Sequence, residues 1–244
     1  MHKTLLVLAL GTSGACGNSA ASPPDATVGI DGDASSFYCP PPIDPTTPGR
    51  LKVFVNTEGV TLTKGDCDDS RTNCTSFIQT DQTVVPPFME GDAQRETVIA
   101  TNIAVAQQIL SAYSIDFVRT RPTTGDYEML VLGGSSTDLV GIDNLGSLAP
   151  ESCNNQHRDS IGLEFDYGAT ASFYAYHFVS DLGSMIGLGA SDQKDDCMCR
   201  VDSVCAATAD TCTFGMVPAS TQFNCGRTGI VDEPALLKAF LGCR

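Results

Sequence analysis

The apolar positions of the chain alternate between the two-residue rhythm of strands and the longer rhythm of helices. Leu51 to Val55 is a compact apolar run, and Val60-Thr61-Leu62-Thr63 follows a turn at Glu58-Gly59, so both read as strands. Asp92 is a candidate N-cap for a helix to about Ser114, with Ile99, Ile103, Ala106, Leu110 and Tyr113 as its buried stripe. Ile115 to Val118 and Tyr127 to Leu132 read as strands separated by Pro122 and Gly125, and Ser160 to Phe165 reads as one more. Between them, Gly133-Gly134-Ser135-Ser136 opens a stretch that reads as loop as far as Cys153. Phe173 to Ser191 carries the strongest helical signal, a helix ending in Gly187-Leu188-Gly189. Ala175, Phe178, Val179, Leu182, Met185 and Ile186 share one face, opposite His177, Ser180, Asp181, Ser184 and Gly187. Past Ser191 the pattern lapses until Pro234 to Leu241, a short helix introduced by Asp232-Glu233. A helix lying between strands implies an α/β sheet with at least one right-handed crossover.

Composition adds a compartment. Among 244 residues there are 11 Cys, a number that a reducing cytosol would leave largely as free thiols. Met1-His2-Lys3, the apolar run Leu5 to Leu10 and Ser13-Gly14-Ala15-Cys16 resemble a bacterial lipoprotein signal, in which Cys16 is cleaved free and lipidated. Ser13 stands where that pattern has Leu, so ordinary signal cleavage remains the alternative. Lipidation of Cys16 leaves an even number of cysteines for pairing. Residues 1–16 are thus expected to be a signal peptide, and 17–49 a Ser/Pro/Asp/Gly-rich tether with too little apolar surface to fold. Residues 50–244 are expected to form the domain. A net charge of −15 argues against attraction to nucleic acid or to an anionic membrane, which leaves a lipid anchor as the expected membrane contact. Cys67 and Cys74 flank Asp68-Asp69-Ser70-Arg71 at a spacing that suits a local disulfide. Asp66, Asp68 and Asp69 there are either calcium ligands or a solvated loop face.

Candidate chemistry centres on the Phe173 to Ser191 helix. Two ligands at i and i+4 share one helical face, and a Gly past them lets the chain turn to bring in a third. Ser180, Asp181, Ser184, Gly187 and Ala190 stand at that spacing. Downstream come Asp195-Asp196-Cys197-Met198-Cys199, then Met216-Val217-Pro218, Phe223-Asn224-Cys225, and Leu237 to Cys243. In this order the segments resemble the adamalysin (reprolysin) branch of the metzincin metalloproteases, with HExxHxxGxxH reduced to Ser180, Asp181, Ser184 and Ala190. The resemblance spans roughly Leu51 to Arg244 and is most specific near the C-terminal end.

That resemblance implies a mixed, mostly parallel twisted sheet with two long helices over 50–191 and a disulfide-rich subdomain over 192–244 ending in a helix. It also implies Cys153 paired with Cys243, Cys197 with Cys225, and Cys199 with Cys205 or Cys212, with Met216 as a Met-turn residue supporting the helix. Ser and Ala are not zinc ligands of useful affinity, and Asp181 is one methylene shorter than the general-base Glu, so zinc is expected to be lost. Apart from His2 the chain has only His157 and His177. His177, Asp181 and Ser184 share a face, but a triad needs its His between Asp and Ser, so His177 reads as structural. Three functions stay open: a monomeric, envelope-anchored or secreted pseudoprotease whose cleft or edge strand binds a peptide or protein; an active metallopeptidase with non-standard ligands; and an envelope structural protein.

Overall fold

The computed structural model describes residues 51–244 apart from 156, 167, 169, 170, 201–204, 206–210 and 220–224. The expected signal, Cys16 and the tether lie outside these residues, as do Cys39, Phe223 and Asn224. In chain order the elements are β1 (Leu51–Asn56), β2 (Val60–Lys64), β3 (Cys74–Thr75), β4 (Gln82–Val85) and α1 (Arg95–Ile109). Next come β5 (Ile115–Val118), β6 (Glu128–Leu132), α2 (Ser136–Val140), β7 (Ser147–Leu148), β8 (Ile161–Glu164) and α3 (Ala171–Met185). The last are β9 (Met216–Pro218), β10 (Ile230–Asp232) and α4 (Glu233–Leu241).

The main sheet runs β5-β1-β6-β8-β7, with β7 antiparallel at one edge and every other pairing parallel. Alternation along the strands divides the core. Leu51, Val53 and Val55 of β1 and Leu130 and Leu132 of β6 pack against α1 and α3 on one face. Phe54, Met129, Val131, Ile161 and Leu163 point to the other, where Leu62, Val85 and α2 residue Leu139 cover them. By the same alternation Gly162 and Glu164 of β8 face α3. A Cβ on Gly162 would meet Leu130 and Met185, so its missing side chain lets α3 sit close to the sheet.

Several elements differ from expectation. Helix α1 begins at Arg95, because Asp92 spends its carboxylate on the Gln94 N–H (2.7 Å) in a preceding turn, and it stops at Ile109. The stretch 133–153 holds α2 and β7 rather than loop alone. The apolar surface of β1 and β6 away from α1 is covered by a second sheet, β3-β2-β4. Helix α3 ends at Met185, just before the expected end at Gly187-Leu188-Gly189. There Gly187 (φ 101°) lets its own N–H reach Ser184 O and the Leu188 N–H reach Gly183 O (2.8 Å), a left-handed C-terminal cap.

Cys67 pairs with Cys74, and Cys199 with Cys205. The other two expected pairings are replaced: Cys153 joins Cys225 instead of Cys243, and Cys197 joins Cys212 instead of Cys225. The reason is placement. The Asp196↔Thr213 bridge draws Cys212 to Cys197, while Cys243 is carried away to bridge Tyr113 at the start of β5. Cys243 is also disulfide-bonded, to a partner outside the described residues. From the C-terminal part, Cys197, Met198 and Cys212 join the core cluster of α1 and α3. Met216, expected beneath α3, is instead 71% exposed on β9. Met198 takes the buried place, against Gly183 of α3.

Candidate functional site

The helix that carries the candidate chemistry is covered on its polar side. Ser180, Asp181 and Ser184 are 4%, 3% and 3% exposed, so the face expected to line an open cleft is interior. Two segments cover it. One is β7 with the residues after it: Ser152 donates its N–H to Ser184 O (3.1 Å), and Ser147 reaches Asp181. The other is the stretch around Cys197 and Cys199, which lies along α3. Its Met198 packs on Gly183, its Cys199 carbonyl accepts from the Tyr176 hydroxyl, and its Arg200 guanidinium donates to Ser184 Oγ. Ser184 Oγ donates in turn to the Ser180 carbonyl (3.3 Å). Ala190 lies half-buried beyond the Gly187 turn.

Three elements bring Ser147, Glu164, His177 and Asp181 together. Ser147 faces Glu164 across the β7–β8 ladder, and both side chains point at α3. Ser147 Oγ donates to Asp181 Oδ1 (2.9 Å) and lies 3.1 Å from His177 Nδ1. With its one proton on the carboxylate, the hydroxyl accepts from an Nδ1–H, which fixes the His177 tautomer. The Ser therefore sits between the Asp and the His, whereas nucleophile activation needs the His in the middle. Glu164 is fully buried, and neither of its carboxyl oxygens has a hydrogen-bond donor among the described residues; the same holds for Asp181 Oδ2.

Burial dominates the electrostatics. It pushes the Asp181 carboxyl up to about 7, with the Arg200 charge and the Ser147 hydrogen bond pulling the other way. It pushes Glu164 well above the usual carboxylate range, and the charge of Asp181 adds to that. Burial followed by the Arg200 charge pushes His177 down to about 4, so the imidazole is neutral at pH 7.

The other sequence candidates lie elsewhere. His157 sits beside Asp68 and Asp159, at the end of β8 away from Glu164. Asp68 accepts from Thr75 Oγ1 (2.7 Å), whereas Asp69 accepts from the Arg71 N–H (2.8 Å) and guanidinium (3.1 Å). The two acids are thus committed to different partners and do not converge as a calcium shell would require. Among the described residues, one trio of His, Cys, Asp or Glu has its ligand atoms within 4.8 Å: Glu151, Cys153 and Cys225. Its two sulfurs are already bonded to each other.

Sequence reasoning missed Ser147, Glu164 and Arg200. Glu164 did leave a signal, as the lone charge inside the apolar run Ile161 to Phe165. Ser147 sits on a strand too short to show a period, and Arg200 follows a Cys pair that drew attention to itself. Neither a protein-family model nor a curated protein sequence matches the chain.

Proposed function

We propose that the protein is a non-catalytic, metzincin-like module of the cell envelope that binds an extended peptide or protein segment through its sheet edge. One observation carries the reading. Where a metzincin would hold a dication against its helix, this chain offers Ser180, Ser184 and Ala190, and the Arg200 guanidinium is seated on Ser184 Oγ. Hydroxyls and a methyl do not fit zinc, and a resident cation repels a second one. Supporting it are the order of strand, helix, strands and covered helix, the mostly parallel sheet, and the left-handed turn at Gly187.

The edge follows from register. Gly146 O accepts the Phe165 N–H (2.9 Å), which makes Ser147 and Glu164 a pair without mutual backbone bonds. The backbone N–H and C=O of Ser147 therefore point away from the sheet, the arrangement that accepts an added strand. Disulfides and an expected lipid anchor suit an exported protein, and no helix among the described residues is long and apolar enough to cross a membrane.

Protein purified without chelator should contain zinc at far below one ion per chain and should leave casein intact. Zinc at one per chain, or chelator-sensitive hydrolysis, would overturn the reading in favour of a metallopeptidase with unusual ligands. Restoring Ser180→His, Asp181→Glu, Ser184→His and Ala190→His should recover zinc only when Arg200→Ala is added, because the guanidinium occupies the space. For the anchor, metabolic labelling with a radioactive fatty acid should mark the wild type and not Cys16→Ser; equal labelling of both removes the lipoprotein assignment.

A further inference from the structure

We propose that Ser147 is a proton-controlled latch: protonated Asp181 holds edge strand β7 against α3, and ionised Asp181 lets β7 lift away. The proposal concerns regulation of the docking edge and takes its functional meaning from that reading.

The geometry isolates one contact. Strand β7 is two residues long and has a neighbour on one side only. Its tie to α3 is the Ser147 hydroxyl, on Asp181 Oδ1 and His177 Nδ1. Every element packed around Asp181 supplies a group: His177 and Ser184 from α3 itself, Glu164 from β8, Ser147 from β7, and Arg200 from the stretch beyond α3. Arg200 is the cation among them. Its guanidinium is bonded to Ser184 and acts on Asp181 through space.

A neutral Asp181 accepts the Ser147 hydroxyl on Oδ1 and leaves only an uncharged group unpartnered at Oδ2. An ionised one keeps the Ser147 hydrogen bond on Oδ1 but has no donor on Oδ2 among the described residues. A buried carboxylate so poorly served is strongly disfavoured unless water reaches it. A way in is past β7, a two-residue strand with a neighbour on one side only. Ionisation therefore favours the lifted state, and because burial raises the closed-state Asp181 carboxyl to about 7, lifting gains as the pH climbs from the ordinary carboxylate range to about 7 and levels off above it. Burial raises the neighbouring Glu164 carboxyl well above the usual carboxylate range, and the Asp181 charge adds to that.

Hydrogen exchange on the full chain, corrected for the intrinsic pH dependence of exchange, tests the latch at residues 145–149. Wild type should exchange there about tenfold faster at pH 6 than at pH 5, with little further rise above pH 7. Asp181→Asn, which keeps an acceptor for Ser147 and cannot ionise, should remain protected with no such step. Glu164→Gln should retain the wild-type step, and Ser147→Ala should exchange fast at every pH. A step that survives in Asp181→Asn, or is absent from wild type, or disappears in Glu164→Gln, overturns the proposal. No peptide is added, so the outcome does not depend on whether β7 docks one.

Discussion

Thermal unfolding followed from pH 5 to pH 8 will show the midpoint falling as the pH rises, by about 10 °C or more. The cause is the set of carboxyls that the fold withdraws from water. Asp68 is pushed up to about 6, Asp181 to about 7 and Glu233 to about 9, burial being the largest cause in each. Glu128 and Glu164, both fully buried, are raised well above their ordinary value. Each holds its proton in the fold at pH values where the unfolded chain has released it, so raising the pH draws the equilibrium toward the unfolded state.

Glu233 contributes most among the three. Burial raises it first and the nearby charge of Asp196 next, and each of the two acids accepts one backbone N–H, from Gly215 (3.2 Å) and Met198 (2.8 Å) respectively. His177 works in the opposite sense: held neutral to about pH 4, it lowers stability below pH 6.5 and offsets part of the gain. At about 1.4 kcal/mol for each tenfold change in proton affinity, the net loss from pH 5 to pH 8 is on the order of 5 kcal/mol. Self-repulsion from a net charge of −15 adds to it. Differential scanning calorimetry decides the matter, and a midpoint that is flat or climbs over this interval contradicts the account. Glu164→Gln should be nearly neutral at pH 5 and stabilising at pH 8.

The second large effect is expected from the Cys153–Cys225 bridge. It joins residues 72 apart, and loop closure in the unfolded chain makes such a bridge worth about 4 kcal/mol, against about 2 kcal/mol for Cys67–Cys74 with a separation of 7. Cys153→Ala with Cys225→Ala should therefore lower the denaturation midpoint about twice as far as Cys67→Ala with Cys74→Ala. The longer bridge also ties the approach to β8 to the segment before β10, so its loss frees two regions at once. Urea titration of both variants, with peptide mapping of the oxidised protein, provides the check. Equal losses, or a mapped Cys153–Cys243 peptide, would contradict the pairing described.

How far the sequence foretold the site is clearest at α3. Its existence was legible because Phe178, Val179, Leu182, Met185 and Ile186 keep helical spacing over several turns. The burial of its polar face was not, because Ser147 and Arg200 reach it from distant parts of the chain, and periodicity reports only local neighbours. The strands β1, β5, β6 and β8 were legible as apolar runs, whereas β3, β7, β9 and β10 are two or three residues long and give no measurable period. Pairing of the cysteines followed the same rule. Where the partner is seven residues away, as for Cys67, spacing suffices; where it is 72 away, it does not.

The position of β1 sets how the chain must assemble. This first described strand lies inside the main sheet, and its partners β5 and β6 follow only after a second sheet and α1 have been passed in the sequence. Until they arrive, Val53 and Val55 belong to a strand with both edges bare, a template for any neighbouring chain. Assembly dominated by such distant pairings is expected on the millisecond-to-second scale rather than faster. Recovery of native protein from the unfolded state should accordingly improve with dilution, since intermolecular pairing competes for β1 throughout the wait.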